Sequence, residues 1–211
     1  MTNTLVEPEV TKRKFTRELE LWKKHGERSA RGWILLDEDE NTPSVDLALL
    51  CSVSTGGLTN KLNTVVCAIR LTYDNYDLWP PSLTFIDVFT REPTAPLVRA
   101  FLNTAEGPRD VLVDGHPDTK RPFLCLPGIR EYHSHPQHTG DNWHLHRPTK
   151  EGSISVICER VWLTMSKNVL GLMVTLQTLP TTAQQAQFAI RVTQGNLDIL
   201  ATPQAPPEDL A

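Results

Sequence analysis

Four short apolar segments, Trp33 to Leu36, Val45 to Val53, Thr64 to Tyr73 and Ser82 to Val88, follow one another through links too short to hold crossover helices. Parallel pairing between neighbours needs such crossovers, so these segments predict an antiparallel up-and-down meander. In the third segment Val65, Cys67, Ile69, Leu71 and Tyr73 alternate with Val66, Ala68, Arg70 and Thr72, which gives one apolar face and one mixed face. Thr55-Gly56-Gly57 marks the turn before it. A half-covered sheet of this kind needs a helix over its apolar face. From Thr11 to His25, Phe15, Leu19 and Trp22 recur at helical spacing among Lys, Arg and Glu, and Gly26 supplies a stop. The expected fold class is therefore α+β.

The 211 residues suit one domain, set at 11–200, with a flexible N-terminus over 1–10 and a Pro-rich, acidic, disordered tail over 201–211. Insertions are expected near 87–113, where Leu97 to Leu102 suggests a helical turn or two, and near 126–148. A helix then starts at Gly152 or Ser153 and turns Ile154, Ile157, Val161 and Trp162 inward. Lys167 to Val192 is ambiguous by period: Gly171 to Thr178 fits strand or helix, and the Gln and Ala content of Ala183 to Ala189 leans helical. A formal net charge of -4 argues against a nucleic-acid partner. With no export-type leader and no run of about 18 apolar residues, the expectation is a cytoplasmic chain without a membrane partner. Cys51, Cys67, Cys125 and Cys158 lie far apart and are expected as reduced thiols, with Cys51, Cys67 and Cys158 in the core.

Cys125 differs from the other three. It sits in Arg121-Pro122-Phe123-Leu124-Cys125-Leu126-Pro127-Gly128, after His116-Pro117-Asp118, and prolines on both sides favour a fixed, partly open loop over a regular ladder. A thiol becomes a nucleophile when its thiolate is favoured or its attack assisted, and nearby imidazoles, Lys120 and Arg121 are candidates for either effect.

The order of elements resembles the ubiquitin-conjugating (E2) family over roughly residues 11 to 165. Tyr76-Asp77-Leu78-Trp79-Pro80-Pro81-Ser82-Leu83-Thr84-Phe85 looks like that family's Tyr-Pro-x-x-Pro-Pro turn into its fourth strand, with Asp77 in place of the first proline. His116-Pro117-Asp118 resembles its His-Pro-Asn motif, Cys125 follows at about the family's distance, and Trp143 resembles the tryptophan before its second helix. The resemblance implies a UBC-like fold of N-terminal helix, four-stranded meander, active-site loop and C-terminal helices. It implies that Cys125 accepts a ubiquitin-like protein from an E1-like activating enzyme as a thioester and passes it to an amine on a protein target. His116 would shape the active-site loop. The basic face of the first helix, Lys12, Arg13, Lys14 and Arg17, would meet the E1. Asp118 departs from the pattern, because a carboxylate facing the thioester would repel an oxyanion. Oxyanion stabilisation would then come from backbone amides after Cys125 or from a histidine. Bacterial relatives of this kind imply a setting beside an E1-like enzyme, a ubiquitin-like protein and a JAB-type peptidase, some in antiviral defence. A non-catalytic scaffold of the same fold is one rival reading, and a zinc-binding JAB-like isopeptidase using His133 and His135 is another.

His133-Ser134-His135-Pro136-Gln137-His138 and His144-Leu145-His146 hold five of the seven histidines. A His-x-His pair in extended backbone points both rings to one side, so the segment admits a zinc site. Tyr132-His133-Ser134-His135-Pro136 also looks like the His-x-His-Pro core of zinc-dependent JAB isopeptidases, with Trp143 and His146 where that family has serine and aspartate, and Asp141 displaced. The favoured expectation has no cofactor, with histidines beside the thiol that lower its pKa or accept the proton of the incoming amine.

Overall fold

The computed structural model describes residues 4–54, 61–166, 169–178 and 186–194. Helix α1 (Pro8–Lys23) starts three residues before the predicted Thr11, because Pro8 at the first helical position gives up an N–H that would be unbonded there anyway. Its Phe15, Leu19 and Trp22 are buried, with Thr11 beside them. The stretch ahead of it, expected to be flexible, is tied down at Leu5 and Val6, whose N–H groups both donate to Asn75 Oδ1 at 2.7 and 3.0 Å.

Strands β1 (Trp33–Asp39), β2 (Ser44–Ser54), β3 (Lys61–Thr72) and β4 (Ser82–Ile86) form the expected antiparallel meander in sequence order. The alternation in β3 breaks at one place. Leu49 pairs with Cys67 but Leu50 pairs with Val65, so Val66 is an extra residue in a bulge. Cys67, Ile69, Leu71 and Tyr73 face the core as expected, whereas Val65 is turned outward at 38% exposure and Val66 takes the buried place.

The insertion after β4 is a hairpin rather than a helical turn: β5 (Phe101–Thr104) pairs with β6 (Gly107–Asp110), closed through Gly107 at φ +114. Cross-strand bonds along Phe101–Thr104 satisfy backbone groups that one isolated helical turn would leave open. Next, β7 (Leu112–Val113) pairs with β8 (Phe123–Leu124). The second insertion folds into α2 (Arg130–His133), a 3-10 turn at Pro136–His138, α3 (Trp143–His146) and a 3-10 turn at Arg147–Thr149.

Helix α4 (Ile154–Ser166) begins one residue after the predicted Ser153, whose Oγ accepts from Val156 N–H at 3.4 Å. Ile154, Ile157, Cys158, Val161 and Met165 join the α1 stripe and the inner residues of β2, β3 and β4 in one core. Trp162 is half-buried and donates Nε1–H to Leu50 O at 2.7 Å. The remaining described residues form β9 (Val169–Thr178) and β10 (Ala186–Gln194), an antiparallel pair joined to β2 by one parallel bridge, Ser54 to Gly171. Ala186 to Ala189 is thus strand, against the helical leaning of its composition. Weak propensity yields to cross-strand pairing, and the two-residue period of Phe188, Ile190 and Val192 was the better guide. Residues 201–211, expected as a tail, lie outside the described residues. Among the described residues no helix is long and apolar enough to cross a membrane.

Phe15 is fully buried, with its ring 5.4 Å from that of Tyr73. Truncating it to Ala is expected to lower the unfolding free energy by about 3–5 kcal/mol. Urea denaturation followed by tryptophan fluorescence measures this, and a loss under about 1 kcal/mol would show that α1 does not seal the core.

Candidate active site

Cys125 follows β8 directly and donates its backbone N–H to Val111 O at 2.7 Å, so a short ladder aims the side chain despite the flanking prolines. Its sulfur is 2.9 Å from His138 Nε2. His138 ends the Pro136–His138 turn, its N–H bonded to His135 O at 2.9 Å. The Tyr132 ring stacks on its imidazole at 4.1 Å between centroids and 22° between planes. Position and tilt of the ring are thereby set before any ligand binds.

Burial raises the Cys125 thiol above its ordinary range, partly countered by the positive charge of Arg109 from the β5–β6 hairpin. Burial lowers His138 below the ordinary imidazole value, helped by His135 and Arg109. Both shifts favour a neutral thiol and a neutral imidazole over a thiolate and imidazolium. The arrangement is a hydrogen-bonded donor and acceptor ready to exchange one proton. The cation that acts on the sulfur is Arg109, not Lys120 or Arg121: Lys120 Nζ bonds Pro117 O within its own turn, and Arg121 is exposed.

His116 is 1% exposed and shapes a turn. Its Nδ1 accepts Asp118 N–H at 3.1 Å, and its Nε2 donates to Glu131 O at 3.1 Å, which fixes a neutral tautomer. The Asp118 carboxylate is 75% exposed, turned to solvent. Its contribution to the turn is its backbone amide.

A polar chain runs on from Tyr132. Its OH donates to Asp141 Oδ2 at 2.7 Å, Asp141 Oδ1 meets His146 Nε2 at 2.5 Å, and His146 Nδ1 meets Glu151 Oε2 at 2.8 Å. Arg160 closes the circuit, bonding Glu151 at 3.1 Å and Pro127 O at 2.7 Å, two residues after the thiol. Gly128 fits only as glycine: its φ is +95, and a Cβ there would lie 2.5 Å from Glu151 O.

The His133–His135 pair does not share a side, because His133 ends a helix instead of lying in extended chain. His133 Nε2 accepts Gly128 N–H at 3.1 Å and its Nδ1 donates to Asp141 O at 2.9 Å, while the His135 ring stacks on Phe123. Among the described residues no group of three or more His, Cys, Asp or Glu is placed to hold a metal ion. On α1, Lys14 is paired with Asp77 at 2.5 Å, which leaves Lys12, Arg13 and Arg17 as the rest of the basic set. Cys51, Cys67 and Cys158 are buried in the core as expected, and burial raises all three thiols. His138 was one histidine among several in the sequence; the Tyr132 ring that selects it, and Arg109, carried no signal there.

The Y4jH family matches residues 6–111 and 110–169. The chain is a member of the Y4jH-like family. An uncharacterized protein, y4jH of Sinorhizobium fredii (strain NBRC 101917 / NGR234), is 30% identical over 223 residues, covering 96% of this chain and 97% of that protein. The second of the two Y4jH-family segments holds His116, Cys125, Tyr132, His138, Asp141, His146, Glu151 and Arg160, so the whole circuit lies within the family's extent.

The circuit has a pH signature. Burial alone would lower His146, but its bonds to Asp141 and Glu151 outweigh that and raise it. Its contribution to stability is full below the unfolded value of about 6.5 and fades as pH rises through the higher folded value. Asp141 is held low by its bonds from His146 and Tyr132; Glu151 is held low because Arg160 and His146 outweigh its burial. Their contribution is present above about 4.3 and fades as pH falls. The melting-temperature gap between the protein and His146→Gln is therefore expected to be widest between about pH 4.5 and 6.5 and to narrow toward pH 9. A gap independent of pH would mean that His146 is not ionised in the fold.

Proposed function

We propose that this Y4jH-like chain is a cytoplasmic acyl carrier with a UBC-like fold, which takes a ubiquitin-like protein from an E1-type enzyme as a thioester on Cys125 and transfers it to an amine on a protein target. The observation that carries this reading is the Cys125 Sγ to His138 Nε2 contact of 2.9 Å, one residue beyond a short ladder and just after the turn built on His116. The antiparallel meander, the helix before it and the order His116, Cys125, Trp143, α4 support it.

In charging, Cys125 Sγ attacks the carbonyl of the E1-bound thioester while His138 Nε2 takes the thiol proton. A C–S bond forms to Cys125, the C–S bond to the E1 breaks, and the departing thiolate takes the proton from His138. In discharge the amine nitrogen attacks the Cys125 thioester, a C–N bond forms and the C–S bond breaks. His138 removes one amine proton and returns it to the Cys125 thiolate. Thioesters suit both directions, since a thiolate is a good nucleophile and a good leaving group. Base assistance of this type contributes about 10²–10⁴ in rate. Arg109 supplies positive charge for the tetrahedral oxyanion, the part that Asp118, turned to solvent, does not play.

Incubation of the chain with an E1-type enzyme, a ubiquitin-like protein and ATP from its own organism is expected to give an adduct in intact-protein mass spectrometry. The adduct should disappear with reducing agent and in Cys125→Ala. No adduct from an E1 shown to be active would favour a scaffold of the same fold, in which the raised thiol is inert.

A further inference from the structure

Between the connection from β3 to β4 and the histidine-rich segment lies a cavity of about 480 Å³, within the range of small-ligand sites. Leu78, Trp79 and Pro80 form one wall, Asn142 and Trp143 the other, and His138 lines it as well. Its aromatic walls are fixed in place. Trp143 donates Nε1–H to Asp77 O at 3.0 Å, and the Arg130 guanidinium lies 5.3 Å over the Trp79 ring. Both formal charges on its lining, Arg130 and Asp141, are already paired, to Asp74 at 2.7 Å and to His146 at 2.5 Å. A charged occupant would find no unspent partner in either group, whereas indole and proline surfaces reward an apolar one.

His138 belongs to the cavity and to the thiol at once. Its Nε2 meets Cys125 at 2.9 Å and the residue lines the cavity, so a group lodged there sits near the base. Once Cys125 carries an acyl group, the nucleophile that gives its proton to His138 approaches from this side.

We propose that the cavity holds a bulky apolar or aromatic group flanking the acceptor amine, so that Cys125 discharges preferentially onto amines that carry one. The amine half of this inference rests on the acyl-carrier reading; the binding half does not. The pocket therefore acts as a selector of acceptors, working next to the thiol without contacting it.

Alkylation of Cys125 tests the cavity without any E1. The Cys125 S–C bond forms, iodide leaves and the thiol proton is lost, with iodoacetamide and N-benzyl iodoacetamide compared as reagents. The benzyl reagent is expected to show saturation and, at low concentration, a rate about tenfold or more above iodoacetamide. In Leu78→Asp, which places a charge on the rim, that ratio should fall toward one. Equal linear kinetics for both reagents, or a ratio unmoved by Leu78→Asp, would overturn the binding site. With charged protein in hand, discharge onto 3-phenylpropylamine should outrun discharge onto methylamine at equal free-base concentration, and equal rates would overturn the acceptor role. If no charging occurs with an active E1, the amine half falls with the carrier reading, and the alkylation ratio still decides whether the cavity binds an apolar group.

Discussion

The Glu131 carboxylate is 6% exposed, and a buried carboxylate costs several kcal/mol unless its oxygens are hydrogen-bonded. Here one oxygen accepts from Leu83 N–H at 3.0 Å and the other from the Ser82 hydroxyl, which clamps α2 to the start of β4. The same residue's carbonyl takes Nε2–H of His116, and Arg130 beside it bonds Asp74 and Pro80 O. Two adjacent residues therefore fasten the turn before the thiol, the histidine-rich segment after it and the end of the sheet to one another. The position of Cys125 relative to His138 follows from that junction, because β8 is fixed on one side of it and Tyr132 on the other. A hydrogen-bonded buried charge is directional in a way that apolar packing is not, which suits it to set geometry rather than bulk stability.

Bulk stability comes from the apolar core, where α1 and α4 lay their apolar stripes over the inner residues of β2, β3 and β4, and Leu124, Leu126 and Ile129 beside the thiol join the same cluster. This division was legible in the sequence. The stripe of Phe15, Leu19 and Trp22, the meander and the start of α4 rest on periodicity and short links, which are local properties. The bulge at Val66 was not legible, since it depends on which residue of β2 stands opposite, and both Val65 and Val66 are equally apolar. The hairpin in the first insertion and the pairing of β9 with β10 were missed for a related reason: cross-strand partners are distant choices that weak local preferences do not record.

The site divides in the same way. Cys125 stood out because prolines flank it, and His116 through the family resemblance; the structure sets Cys125 directly after a short ladder instead of in an open loop, and His116 in a tight turn. Which histidine meets the sulfur was open among several, and it was decided by a stacked ring and a 3-10 turn, neither with a sequence signature. The Asp118 side chain is turned to solvent, while the positive charge that counters the burial of the thiol comes from Arg109, on a hairpin that the sequence presented as irregular. Among the histidines that suggested zinc, His133 spends both ring nitrogens on the backbone and the His135 ring stacks on Phe123.

If Cys125 and His138 act as a pair, the imidazole moves the thiol's proton. Acyl exchange between Cys125 and a small aryl thioester measures this directly in the protein and in His138→Gln across pH 5 to 10. With the pair at work, the protein is expected to exchange on a plateau extending below about pH 6.5, where the lowered His138 is still a base. His138→Gln is then expected to lose about 10²–10⁴ in rate there, recovering only as the raised thiol ionises on its own. Identical pH profiles in the two proteins would contradict it and leave Cys125 an ordinary loop thiol.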